Sequence, residues 1–341
     1  MDLETFWFCL IALLWGGYFL LEGFDFGVGM LLPFVPRDDR ERGSVLSTIG
    51  PVWDGNDVWL VVAAGATFAA FPAWYATMFS GFYVALLLVL AFLIVRVVSF
   101  EWRSKSESPR WRSAWTWANT LGSFGAALVW GIGLANLVHG VPIDGDGNYA
   151  GTFADLFDPY TVAAGVAVVL LFAFHGATFL TLRTTAELHA RAARAARLLA
   201  VPAALLGAAV LAWTVAVAMD RNDKDLLPPA LPAAVGIGAL ALAVAFTLAG
   251  RSGRAFAMTG LGTISLVATL FVGLYPRVMV SSPDFENSLT VDGAASSHYA
   301  LTVMTVVAVI FVPVVLLYQG WTYYVFRRRL EGGRPEPASS L

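Results

Sequence analysis

Nine apolar runs set the pattern of this chain, near 5–24, 52–71, 79–98, 117–138, 160–182, 198–219, 231–250, 255–276 and 300–326, each parted from the next by a polar stretch. Their length, roughly 20 residues, is what an α-helix needs to cross a hydrocarbon core of ~30 Å. The pattern predicts an all-α integral membrane protein with nine transmembrane helices. Runs seven and eight are separated only by Arg251, Ser252, Gly253 and Arg254, a link short enough to make them antiparallel neighbours. Residues 1–330 read as a single polytopic transmembrane domain, and 331–341, with Pro and Ser, as a short disordered cytoplasmic tail.

Composition strengthens that reading. Hydrophobic residues make up 58% of the 341 and charged residues 13%, about half the charged share of an ordinary soluble domain. The acidic start MDLETF lacks the positive charge of a secretory signal, and no small-residue cleavage site follows its apolar run, so the first run reads as a retained helix. A single cysteine, Cys9, excludes an intrachain disulfide, and no basic patch is interleaved with aromatics as nucleic-acid binding requires.

Charge also orients the chain. Of the 21 Lys and Arg residues, 18 fall after runs 1, 3, 5, 7 and 9, counting Arg96 at the inner end of run 3. Arg221, Lys224 and Arg277 fall on the opposite side. Cytoplasmic loops retain positive charge, so the split predicts an outside N-terminus and a cytoplasmic C-terminus. Trp and Tyr at positions such as Trp74, Tyr75, Trp102, Trp111, Trp321 and Tyr323 mark the interfaces.

Candidate chemistry lies in charges the membrane disfavours. One costs ~2.5–3.5 kcal/mol at mid-span on insertion scales. Glu22 and Asp25, in LLEGFDFGVGM, are three residues apart and so share a helix face. Gly23, Gly27 and Gly29 beside them permit a close helix approach, a helix break, or both. In PVWDGNDVWL, Asp54 and Asp57 suit a helix N-terminus and either can be a simple cap. Against a cap alone, Trp53, Asp54, Asn56 and Trp59 bring two aromatics and two hydrogen-bonding groups into one short stretch. Both clusters fall toward the cytoplasmic side, where carboxylates linked by water can carry protons inward, so proton transport rather than metal binding is the chemistry they suit. Arg96, between Val95 and Val97, either pairs with an inner carboxylate or snorkels, while Arg103 and Lys105 read as interface anchors. His175, in FAFHGATFL, admits three roles, namely haem ligand, proton relay and interhelical strut. The strut is preferred, because the paired His or His/Met pattern of a bis-ligated haem is missing.

These residues resemble a known family. GFDFGVG at 23–29, WDGNDVWL at 53–60, FSGFYVALLLVLAFL at 79–93, RSK at 103–105, ELH at 187–189 and NSLT at 287–290 are similar, in order and spacing, to subunit II of cytochrome bd-type quinol oxidases. The resemblance implies a multi-pass protein of the bacterial cell membrane. It implies a complex that oxidises membrane quinol, reduces dioxygen to water and draws protons from the cytoplasm. Two haems b and one haem d are expected in that complex, ligated chiefly by subunit I, against which this chain would pack. A bound structural quinone and small accessory subunits occur in some members. The resemblance places Asp25 and Asp54 near a proton path, with Glu22 a weaker member, and associates the region of Trp59 with dioxygen entry; Trp53, Asn56, Arg96 and Arg103 support the motif. Glu22 stands where Asp is frequent, Asp57 where Glu or Gln is common, and the loops flanking run seven are short. Two other functions fit the residues: a proton-coupled secondary transporter, disfavoured because the acids cluster toward one face without an internal repeat, and a purely structural partner subunit.

Overall fold

The computed structural model describes residues 2–326 and 329, so the tail read at 331–341 lies outside the described residues. Helices dominate the fold. They are α1 (Leu3–Leu31), α2 (Asp39–Ile49), α3 (Trp53–Ala70), α4 (Pro72–Gly81), α5 (Tyr83–Trp102), α6 (Pro109–His139) and α7 (Pro159–Arg183). The series continues with α8 (Ala186–Arg221), α9 (Leu227–Leu248), α10 (Ser252–Leu274), the single turn α11 (Val291–Ala294) and α12 (His298–Val325). Among the described residues, 8 helices are long and apolar enough to cross a membrane: α1, α5 to α10 and α12. The remaining apolar run is the 18-residue α3, which opens on Asp54 and Asp57. Besides the single turn α11, two helices have no counterpart in the apolar runs. One is α2, whose composition is polar, and the other is α4, which Pro72 starts by breaking the run after Ala70.

The first run proves longer than its apolar stretch. α1 continues unbroken through Glu22 and Asp25 to Leu31. Its glycines serve close approach, not a break. A Cβ on Gly27 would collide with the Phe172 carbonyl and lie 2.8 Å from Cα of Gly176 on α7, and one on Gly29 would meet Ser123 and Asn119 of α6. Small residues at such crossings let backbones pack where lipid supplies no hydrophobic force. The link between α9 and α10 is as tight as its sequence demands: Gly250 has φ +69° and Arg251 N–H donates to the Phe246 carbonyl at 2.8 Å, a glycine-terminated helix end.

α1 sits at the centre, packed on α3, α6, α7 and α10. At its N-terminal end a cap of loops closes the bundle. There β1 (Arg277–Met279) pairs antiparallel with β2 (Leu289–Thr290), and Val141 bridges to Ser281. The NSLT stretch builds this cap: Asn287 Nδ2 donates to the Ile143 carbonyl (3.2 Å), Ser288 Oγ accepts from Ser281 N–H (3.0 Å) and Thr290 caps α11. At the opposite end, the ELH stretch is anchored by Glu187 to Arg37 (3.3 Å) and by His189 Nδ1 to the Thr181 carbonyl (2.9 Å). α12 stands apart, with Leu301 the only buried residue among its described ones.

Candidate functional site

The deepest polar cluster gathers around Arg96. This arginine lies six residues before the end of α5, fully buried, and Gly122 of α6 makes room for its backbone: a Cβ there would lie 3.0 Å from Cβ of Arg96. Its Nη1 is 2.6 Å from Glu22 Oε1 and 3.6 Å from Asp57 Oδ1. The guanidinium also lies 4.8 Å from the Phe26 ring centroid and 5.3 Å from that of Phe100, so its faces meet aromatic π-clouds while its edge meets carboxylates. One guanidinium thus holds an acid from α1 and an acid from α3 at once. Glu22 is about 14 Å from the end of α1, at 1.5 Å per residue, which puts the cluster inside the bundle and not at its rim.

A second centre adjoins it. Asn56 of α3, fully buried, donates through Nδ2 to Asp25 Oδ2 at 2.7 Å and to the Leu21 carbonyl at 3.4 Å. Its Oδ1 accepts from Gln319 Nε2 (3.0 Å) and from the Tyr323 hydroxyl (2.9 Å), both on α12. Two donors on the oxygen leave the amide only one orientation, with its NH2 toward Asp25. A hydrogen-bonded line therefore runs from the buried Asp25 to α12, the most exposed helix of the chain.

The buried groups are incompletely partnered. Glu22 Oε2, Asp25 Oδ1, the Tyr18 hydroxyl, and Arg96 Nε and Nη2 have no hydrogen-bond partner among the described residues. Even the Arg96–Glu22 contact is an ion pair by distance without hydrogen-bond angles. Buried polar atoms in native proteins are nearly always bonded to protein or to water. Such a set suits a hydrated cluster, the kind of site that carries protons between carboxylates.

The other candidates fall as follows. Asp54 is exposed on α3, apart from the buried cluster, and makes no cap hydrogen bond; the helix start at Val52 has no side-chain cap. Trp53 stacks at a tilt on Phe100, centroids 5.1 Å apart, so it shields the Arg96 side from one end. Trp59 lies over Gly17 of α1, where a Cβ would meet its ring. Arg103, only 8% exposed, donates from Nε to Thr116 (3.1 Å) and pairs with Asp39, so it is built into the fold. His175 joins three helices: Nδ1 meets Thr259 Oγ1 of α10 at 2.7 Å, Nε2 meets the Leu20 carbonyl of α1 at 3.2 Å, and the ring stacks on Phe256 at 4.5 Å. Asp57 and Gln319 are the residues that sequence reasoning left without a role. The available signals are the adjacency of Asp57 to Asn56 and an amide set in the last apolar run.

A bundle of apolar helices enclosing three carboxylates and one arginine defines a membrane protein organised around an intramembrane charge cluster. The profile of cytochrome bd terminal oxidase subunit II matches residues 3–326. Cytochrome bd ubiquinol oxidase subunit 2 of Bacillus subtilis strain 168 is 41% identical, over 98% of this chain and 98% of its own length. Cytochrome bd-I ubiquinol oxidase subunit 2 of Escherichia coli K12 is 38% identical, over 94% and 93%. A chain of the bd oxidase structure from Geobacillus thermodenitrificans superposes with a TM-score of 0.76 over 95% of this chain and 97% of its own, at 18% identity, a likeness of fold. The chain belongs to the cytochrome bd terminal oxidase subunit II family, and is thus part of an oxidoreductase complex.

A cytochrome complex contains haem, and His175, the histidine buried in α7, does not fit a ligand role. Both ring nitrogens of His175 are already engaged, by Thr259 and by the Leu20 carbonyl. No group of three His, Cys, Asp or Glu side chains suited to a metal occurs among the described residues.

Proposed function

We propose that this chain is the proton-conducting and scaffolding subunit of a bacterial quinol:dioxygen oxidoreductase, inserted in the cytoplasmic membrane as one nine-span domain with its N-terminus outside and its C-terminus, with the short tail 331–341, in the cytoplasm. The 18-to-3 distribution of Lys and Arg supports that topology, with α3 as the ninth span. The relatives' names support quinol as the electron donor. The haem-bearing subunit I would hold two haems b and one haem d. It would cover the exposed faces of α3, α5 and α12, where Val61, Leu87, Val309 and Leu317 are at least half exposed. Dioxygen would enter near Trp59, and the open apolar groove between α3, α4 and α5, about 590 Å³, suits the tail of a structural quinone.

The observation that carries the reading is the Glu22–Arg96–Asp57 cluster with Asp25 beside it, ionisable groups from three helices of which Glu22, Asp25 and Arg96 are fully buried and Asp57 partly so. Asp54, exposed one helical turn before Asp57, takes protons from water; Asp57, Glu22 and Asp25 hold them inside; and Asn56, which has no titrating proton, orients Asp25 toward the partner subunit. Intramembrane ionisable residues of this kind mark proton and ion paths.

Asp25→Asn and Asp54→Asn test it in the assembled complex. Haem content is expected to survive in both while quinol-driven oxygen consumption per haem falls several-fold or more, a tenfold loss being about 1.4 kcal/mol of barrier. If both acids serve one path, the double variant loses less than the product of the single losses. Wild-type turnover per haem in Asp54→Asn removes Asp54 from the path.

A further inference from the structure

A second charged site lies just beyond the C-terminal end of α5. Arg42 of α2, Arg103 after α5 and Arg112 of α6 converge on one carboxylate, Asp39: Arg112 Nη1 is 2.7 Å from Oδ2, Arg42 Nη1 is 3.6 Å from Oδ1, and Arg103 pairs directly with Oδ1. Arg42, Arg112 and Asp39 line a pocket of about 440 Å³, whose walls also include Pro33, Glu107 and Trp117, and Arg103 reaches it through its pairing with Asp39. Three guanidiniums against Asp39 and Glu107 leave an excess positive charge. Two carboxylate oxygens of Asp39 satisfy only part of what three guanidiniums offer, since each has five N–H donors. Arg103 Nε is used by Thr116 and Arg112 Nε by the Ser106 carbonyl, but Arg42 Nε is buried without a hydrogen-bond partner among the described residues.

The pocket has an apolar lip. Trp117, in its wall, is 46% exposed and meets Phe34, 68% exposed, edge to face at 6.0 Å. Trp102, Trp111 and Trp115 form a ring cluster on the same α5–α6 turn, with centroids 5.7–6.1 Å apart, as aromatic side chains do at headgroup level. Arginine forks match phosphate oxygens, and basic pockets between helices at the cytoplasmic side take anionic headgroups. An exposed aromatic lip beside the cations adds a requirement for an apolar tail.

We propose that this pocket binds the phosphate headgroup of an anionic phospholipid, with Arg42 and Arg112 on the phosphate and the Phe34–Trp117 pair against an acyl chain. Bound there, the lipid ties α2 to the α5–α6 turn, which carries Arg103 and follows Arg96 of α5 by about two helical turns.

The test uses the assembled oxidase in nanodiscs and counts retained phosphatidylglycerol by native mass spectrometry. Arg42→Gln/Arg112→Gln is expected to lose one phosphatidylglycerol per complex, and Arg110→Gln, an exposed arginine outside the pocket wall, to lose none. An unchanged count in the double variant overturns the proposal. Displacement of the lipid from wild type by millimolar inorganic phosphate also overturns it, making the pocket a site for the free anion. Should the double variant fail to assemble, wild type is exposed to phosphatidylglycerol carrying a photoreactive acyl chain. Crosslinking to the peptides of Phe34 or Trp117 supports the site, and crosslinking only elsewhere refutes it.

Discussion

Replacing Arg96 with leucine removes the only cation from a pair of acids contributed by α1 and α3. Glu22, with no exposed surface, and Asp57, 23% exposed, would then face each other and two aromatic rings with nothing to balance their charge. Breaking a buried ion pair by removing one partner destabilises by about 3–5 kcal/mol, since the remaining charge stays desolvated. At 1.4 kcal/mol per tenfold, that shifts assembly by about two to three and a half orders of magnitude. Removing both members behaves differently: an apolar pair of similar volume is often neutral or stabilising by about 1–4 kcal/mol. Arg96→Leu is therefore expected to abolish most of the assembled complex, and Arg96→Leu/Glu22→Leu to regain most of it, with a remaining deficit from unpaired Asp57. The assay is the yield and thermal midpoint of the haem signal of the purified complex, completed by Glu22→Leu as the fourth corner of the cycle. Recovery of assembly without recovery of oxygen consumption per haem assigns the cluster to proton delivery. A single variant as stable as wild type would refute the pairing argument, and wild-type turnover in the double variant would remove Glu22 and Arg96 from the path.

Other outcomes follow from the same geometry. His175→Ala should leave the haem content of the complex near wild type while lowering its thermal midpoint, because two interhelical hydrogen bonds at ~0.6 kcal/mol each and a stacked ring are lost; loss of one haem with both subunits present would make it a ligand. Gly27→Ala should reduce assembly through an overpacked α1–α7 crossing, typically ~1–3 kcal/mol, whereas Gly16→Ala, with no atom within 4 Å of the new methyl, should not; equal yields would refute the close-approach account. With tags at Met1 and Leu341, only the C-terminal tag should be accessible from the cytoplasm; both on one side would mean an even number of spans.

Much of this architecture is legible in the chain because lipid leaves few alternatives: backbone groups in hydrocarbon must be satisfied within helices, so each long apolar run is a helix. The limits of legibility are physical too. The apolar run ends near residue 24, yet α1 goes on to Leu31, because Glu22 and Asp25 are paid for by partners on α3, α5 and α12 that no local pattern reveals. α2 has no apolar run to announce it, and its polar face is held by Arg103, Arg112 and Arg191 from distant segments. At the site, Asp25, Glu22, Asn56 and Arg96 do come together. Asp54 does not join them: it lies two residues, about 200° around the helix, from the buried Asn56, and a turn nearer the start of α3 than Asp57.

The asymmetry of the packing connects the cluster to the partner. Gln319 and Tyr323 reach Asn56 from α12, and through it Asp25, although most of α12 is bare in the isolated chain. A helix with so little packing of its own gains its definite position from what covers its other side. Whatever subunit docks there sets how closely Gln319 and Tyr323 approach Asn56, and so whether its amide points at Asp25. On the proposed reading assembly and proton delivery are coupled: a contact that completes the complex also orients the residue next to the innermost acid. The carboxylates of the proposed path sit on α1 and α3, the two helices on which α12 packs.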